Sequence, residues 1–166
     1  MADLYLMCGV PGSGKSTLLK NHLKMNSKNN IVISRDKIRF NLVKPSEPYF
    51  SKEKEVYKEF WKEINYYLSL GYNVFADQTS LTKKSRKYLM DNVHGYKNVN
   101  IIWMATPLNI SLERNNNRTG REFVPPETIK RMYHSFEKPS FEEGFTNIYK
   151  VTENTILRIN KGDINK

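Results

Sequence analysis

The chain has 166 residues, 39% of them hydrophobic and 27% charged, with a formal net charge of +10 and one cysteine. That length suits one domain whose sheet is covered by helices, and no apolar run approaches the roughly 18 residues of a membrane span. A lone cysteine excludes an intramolecular disulfide and suits a reducing compartment, and no basic leader with a cleavage site precedes residue 9, so a cytoplasmic location is expected.

The first element is an apolar strand over residues 3–8, followed at once by Gly9, Val10, Pro11, Gly12, Ser13, Gly14, Lys15, Ser16 and Thr17. This is the spacing G-x-x-x-x-G-K-[ST] of a phosphate-binding loop between a buried strand and a helix. Its glycines let successive N–H groups turn inward onto phosphate oxygens, and the helix behind adds its positive end. Lys15 is placed to reach the β- and γ-phosphates, and the Ser16 hydroxyl to ligate Mg²⁺. A nucleoside-triphosphate site follows.

A helix is expected to about residue 24, and residues 24–30, rich in Lys and Asn, look like solvated loop. Residues 31–33 form a short strand that ends at Ser34, Arg35 and Asp36, where a second helix opens. Asp36 and Arg39 are three apart and share a helix face. The acid could take a proton from an acceptor hydroxyl while Arg39 holds an anionic acceptor, with Arg35 also on the acceptor side; the plainer reading is a helix cap, which explains the acid but not its pairing with Arg35 and Arg39. Pro45 and Pro48 break this pattern.

Residues 51–70 carry Val56, Tyr57, Phe60, Trp61, Ile64, Tyr67 and Leu68 at helical spacing, with Gly71 as the stop. Those aromatics read as a core-facing stripe in preference to a base-stacking surface. A strand over 73–77 ends in Asp77, an acid placed to act on Mg²⁺ through water or to orient an arginine, with Gln78 and Thr79 extending toward the acceptor. A helix over 82–92 and a strand over 99–105 follow, then helices over 110–115 and 127–136 flanking an arginine-rich segment. Arg114, Arg118 and Arg121 lie there around Gly120, as a mobile lid over residues 112–126 would require. Such a lid would bring positive charge onto the phosphates. Residues 148–151 and 156–159 are the last strand candidates.

Strand–helix alternation behind a phosphate loop indicates a three-layer α/β fold, a parallel sheet with helices on both faces. Ligands in such sheets collect at the carboxyl ends of the strands, where Gly9 to Ser16, Ser34 to Arg39 and Asp77 to Thr79 all fall. The charge has two readings: attraction to a polyanion, or a Lys- and Asn-rich composition with no such partner.

The phosphate loop, the Ser34-Arg35-Asp36-Lys37-Ile38-Arg39 segment, Asp77-Gln78-Thr79 with Arg86, the run from Leu112 to Arg118, and Val124-Pro125-Pro126 with Arg131-Met132-Tyr133 come in a recognisable order. Over about residues 4–136 the chain resembles the kinase domain of bacteriophage-type 5′-hydroxyl polynucleotide kinases. The resemblance implies an adenylate-kinase-like P-loop kinase fold with a helical, arginine-bearing lid, and transfer of the γ-phosphoryl group of ATP, with Mg²⁺, to the 5′-hydroxyl of DNA or RNA in repair or end processing. It implies Asp36 as general base, Arg39 as a contact to the acceptor's 3′-side phosphate, Arg118 on the donor phosphates, Arg114 in support of the lid, and an essential role for Asp77. Its setting would be the host cytoplasm if the chain is phage-encoded. Gln78 stands where the family pattern has Thr, and no Asp-x-Asp motif is present, so 3′-phosphatase activity is not expected. No protein partner is inferred. A small-molecule or nucleotide kinase of the same family, and a nucleotide-dependent binding module without transfer, remain as alternatives.

Overall fold

A computed structural model describes residues 1–25 and 28–163. Six strands form one sheet in the order β2-β3-β1-β4-β5-β6. These are β1 (Ala2–Cys8), β2 (Asn30–Ser34), β3 (Asn73–Asp77), β4 (Tyr96–Met104), β5 (Asn147–Val151) and β6 (Ile156–Ile159). The first five are mutually parallel, as the alternation predicts. β6 runs antiparallel to β5, because only the short turn 152–155 joins them, and a parallel return needs a crossover of a dozen residues or more. The sheet is therefore parallel with an antiparallel edge.

Strand β1 lies at the centre because it is apolar on both sides: Leu4 and Leu6 point to one face, Met7 to the other, and none is exposed. The first face carries α2 (Arg35–Leu42), α3 (Glu53–Ser69) and α4 (Lys83–Asn92), whose Ile38, Val56, Phe60, Ile64, Leu68 and Leu89 complete the main core. Within the α3 stripe Trp61 and Tyr67 are partly buried against that core, while Tyr57 turns to Arg35. The opposite face meets α1 (Lys15–Met25) through Leu18 and Leu19. Of the expected solvated loop over 24–30, residues 24 and 25 belong to α1, and residues 26 and 27 lie outside the described residues.

A third, smaller cluster joins Val10 and Leu81 to α5 (Leu108–Asn116) and α6 (Pro126–His134) through Leu108, Leu112 and Ile129. It sits at the carboxyl end of the sheet, so α5 and α6 brace the loops that follow the strands. Two buried side chains fasten this end. Arg86 donates to both oxygens of Glu143 at 2.7 and 2.9 Å and to the carbonyls of Ser80 and Leu81. Asn115 holds the backbone N–H and C=O of Val124 at 3.0 and 2.7 Å. Between Asn115 and Pro126 the chain makes only a 3-10 turn over Gly120–Glu122. Of the lid expected over about 112–126, residues 112–116 belong to α5, Gly120–Glu122 form the 3-10 turn and the rest is loop, with Gly120 at φ +60° and Pro125 ahead of α6.

Candidate active site

The loops after β1, β2 and β3 open into one cavity of about 600 Å³. Its donor side is built by Gly12, Gly14, Lys15 and Ser16, its roof by Arg118, Arg121, Glu122 and Val124. Its far wall comprises Ser34, Arg35, Asp36, Lys37, Phe40, Tyr49, Asp77, Gln78 and Thr79. The convergence expected from strand ends is what the fold delivers.

The phosphate loop is braced from beneath. Gly9 donates its N–H to the Thr79 carbonyl at 2.9 Å, tying the loop to the end of β3. Gly12 adopts φ +83° and packs so closely on Ser111 of α5 that any Cβ would collide with the Ser111 carbonyl. The Ser13 carbonyl accepts from the Thr106 hydroxyl at 2.7 Å and from Arg114 at 3.4 Å. Gly9, Ser13 and Arg114 therefore hold the loop's shape instead of lining the cavity, and Thr17 is exposed on the first turn of α1. Lys15 donates to the carbonyls of Gly9 and Val10 at 2.8 and 3.0 Å. Burial pushes its pKa down, and the charge of Asp77 works against that shift.

Asp77 closes β3 opposite Ser34 of β2. Burial raises its carboxyl pKa; Lys15 and a hydrogen bond from Ser34 pull the other way. Ser34 also caps α2, accepting from the Lys37 N–H at 3.4 Å. The described residues contain no group of three His, Cys, Asp or Glu able to hold a metal by themselves. The Ser16 hydroxyl and the Asp77 carboxylate are oxygen groups lining the cavity beside the phosphate loop and Lys15. That sparse oxygen set fits Mg²⁺, which keeps several waters and binds mainly to nucleotide phosphates.

On the far wall Asp36 is open, with its side chain 64% exposed, whereas Arg39 beside it is 1% exposed. Arg39 donates to Glu53 through Nε and Nη2 at 2.6 and 3.0 Å, to Tyr49 at 3.1 Å, and to Asp36 Oδ1. Tyr49 donates to the same Oδ1 at 3.1 Å. Arg39 does not line the cavity; in this geometry it orients Asp36. Its guanidinium is stacked near the rings of Tyr49 and Phe50, 4.7 and 5.5 Å from their centroids. Tyr49 and Glu53 escaped the sequence reading because neither stands at a helical interval from Asp36. The 43–52 segment folds back onto α2 with Tyr49, and the start of α3 brings Glu53.

The roof is tied to the far wall by Arg121. It donates to the carbonyls of Phe40 and Val43 at the end of α2 and lies 4.5 Å from the Phe40 ring centroid. Arg118, two residues beyond the end of α5, lines the cavity, and its charge also lowers the Lys15 pKa.

A family model described as an AAA domain matches residues 4–139. The L-seryl-tRNA(Sec) kinase of Methanococcus maripaludis is 32% identical over 171 residues, an alignment taking in 97% of this chain. The chain spans 62% of that relative's length. Among solved structures, a chain of the Pnkp1/Rnl/Hen1 RNA repair complex superposes with a TM-score of 0.68 at 22% identity, covering 81% of this chain and 43% of that one. Kti12 of Chaetomium thermophilum, solved with ADP-AlF3, gives a TM-score of 0.63 at 15% identity over 91% of this chain and 89% of that one. With more than three-quarters of its length inside the family model, and with this sheet order and phosphate loop, the chain belongs to the AAA domain family and has the P-loop kinase fold.

Proposed function

We propose that the protein is an ATP-dependent phosphotransferase whose acceptor is the 5′-hydroxyl of a polynucleotide. The observation that carries the reading is the position of Asp36: an open carboxylate facing the phosphate loop across one cavity, under a roof that carries Arg118. Arg39 and Tyr49 both donate to Oδ1, which leaves Oδ2 free to accept a proton. The acceptor oxygen attacks the γ-phosphorus, its proton passes to Asp36 Oδ2, and the bond from the γ-phosphorus to the bridging oxygen breaks to release ADP. Lys15 and Arg118 offset charge on the moving phosphoryl group, where positioned cations contribute most. Ser16 and Asp77 would hold Mg²⁺ against the phosphates, where the ion supplies further charge neutralisation. The net charge of +10 then has a polyanionic acceptor to attract.

A second reading is favoured by the similarity to a seryl-tRNA kinase along almost the whole chain. Here the acceptor would be the hydroxyl of a seryl group carried on RNA, with the same roles for Asp36 and Arg118. Incubation with γ-labelled ATP and a panel of 5′-hydroxyl DNA and RNA oligonucleotides, seryl-tRNA, nucleosides and sugars tests both. Label on the oligonucleotide 5′ end is expected. Label confined to seryl-tRNA supports the second reading, and label only on a small molecule overturns both.

A further inference from the structure

The apolar stripe of α3 divides in two. Val56, Phe60, Ile64 and Leu68 are buried in the main core, whereas Tyr57 and Trp61 reach across to α4 and meet Tyr88 there. Ring centroids lie 5.5 Å apart for Tyr57 and Trp61, 5.4 Å for Tyr57 and Tyr88, and 5.0 Å for Trp61 and Tyr88. Tyr88 stands at 73° and 80° to the other two rings, so it stacks on neither, and it is 48% exposed. The Trp61 indole N–H is a buried donor without a partner, although an indole N–H that is buried usually finds one. Aromatics that served only to join two helices would be covered by them.

The lysines beside these rings are also unpartnered. Lys54, Lys58 and Trp61 follow one another at intervals of four and three, and Lys84 stands four residues before Tyr88, so each set shares a helix face. All three lysines are exposed, and none has a carboxylate within 4.0 Å among the described residues. On the same two helices Lys62 is paired with Glu59 and Lys87 with Asp91. Positive charge is thus left unmatched where the rings are. The patch begins at the cavity: Arg35, which lines it, donates to the Tyr57 hydroxyl, and its guanidinium lies 5.0 Å from the Tyr57 ring centroid. From Lys54 to Trp61 the helix rises about 10 Å, a length matching about two or three nucleotides.

We infer that the α3–α4 face around Tyr88 is a track for single-stranded polynucleotide, holding the part of the acceptor strand that lies beyond the cavity. Lys54, Lys58 and Lys84 hold its phosphates, and Tyr88, backed by Trp61, stacks a base. Unmatched cations interleaved with half-open rings supply both contacts that a single strand offers, charge along its backbone and the flat faces of its bases. The track rests on the polynucleotide reading above and adds a substrate class to it: a strand long enough to leave the cavity is preferred to a dinucleotide.

The test compares phosphorylation of a 5′-hydroxyl dinucleotide with that of a single strand of about twelve nucleotides, several more than the track would hold. Wild-type KM is expected to be at least about tenfold lower on the longer strand, the scale of one stacked base. Tyr88→Ala, and the double variant Lys58→Ala, Lys84→Ala, should each lose most of that gain while handling the dinucleotide as wild type does. For the longer strand without ATP, the slope of log Kd against log salt should flatten by about 0.7 for each lysine removed. Thermal melting curves report folding, and if Tyr88→Ala does not fold the lysine variant decides. Equal KM for the two lengths in wild type, or the full length advantage kept by a folded variant, overturns the track while leaving 5′-phosphorylation standing. Absence of transfer at either length overturns the polynucleotide reading and the track with it.

Discussion

Glu53 grips Arg39 with both carboxylate oxygens, at 2.6 and 3.0 Å, and thereby decides where Asp36 stands. The two charges belong to α3 and α2, and the arginine is almost wholly buried. Removing the carboxylate leaves a buried cation short of its main partner, a loss on the order of 3 kcal/mol. Glu53→Ala should lower the free energy of urea unfolding by about that amount, and also lower kcat because Asp36 loses its fixed orientation. An unfolding midpoint unchanged from wild type would show that Asp36 alone suffices to hold Arg39.

Asp36→Asn tests the proposed base separately from the proposed ATP site. Loss of a general base typically costs about 10²- to 10⁴-fold in rate, so kcat should drop within that range while the Kd for ATP, measured by calorimetry, stays close to wild type. Lys15→Ala should instead weaken ATP binding and turnover together.

Gly12→Ala probes the brace between the phosphate loop and α5. The added methyl meets the Ser111 carbonyl, and backbone cannot yield as a flexible side chain can. ATP affinity should fall at least tenfold, whereas Gly120→Ala, where a Cβ meets nothing, should bear only the strain of φ +60°. Equal ATP affinities for the two variants would count against the brace.

Asp77 has its pKa raised in the folded protein, chiefly by burial. Its ionisation therefore opposes folding: full stability is present below the ordinary carboxyl pKa and is lost as pH rises through the higher folded value. Asp77→Asn is expected to be more stable than wild type at neutral pH, with the difference vanishing in acid. The same substitution should slow turnover. Denaturant titrations across that pH range read the crossover directly.

Cys8 is wholly buried on β1 and its thiol is pushed up to about 12, mainly by burial. Thiolate is the reactive form, so the native protein should resist a thiol-reactive dye at neutral pH and label stoichiometrically once unfolded in urea. Rapid labelling of the folded protein would contradict that burial.

Several features needed only the sequence. The apolar run before Gly9, the glycine spacing and Lys15 are local properties, since a phosphate loop is made by consecutive residues and their permitted backbone angles. The five parallel strands were equally legible, because hydrophobic runs separated by helical segments admit few other arrangements. Asp36 and Asp77 stood out for the same reason: each terminates or follows a strand, where an α/β sheet collects its ligands.

The tertiary structure decided which charges are free to act. Arg35 and Arg39 are both arginines near the start of one helix, and nothing local distinguishes them. Glu53, Tyr57 and Gln78, delivered by α3 and the end of β3, neutralise one and leave the other's charge unmatched. Arg121, read from the sequence as lid charge, is committed to carbonyls about eighty residues earlier in the chain. Ion pairs and carbonyl contacts across such separations leave no periodic trace in the sequence, because they depend on how helices dock and not on how each helix forms. The phosphate loop was therefore written in consecutive residues, whereas the pairing of the far-wall arginines was settled only when α2, α3 and β3 packed together.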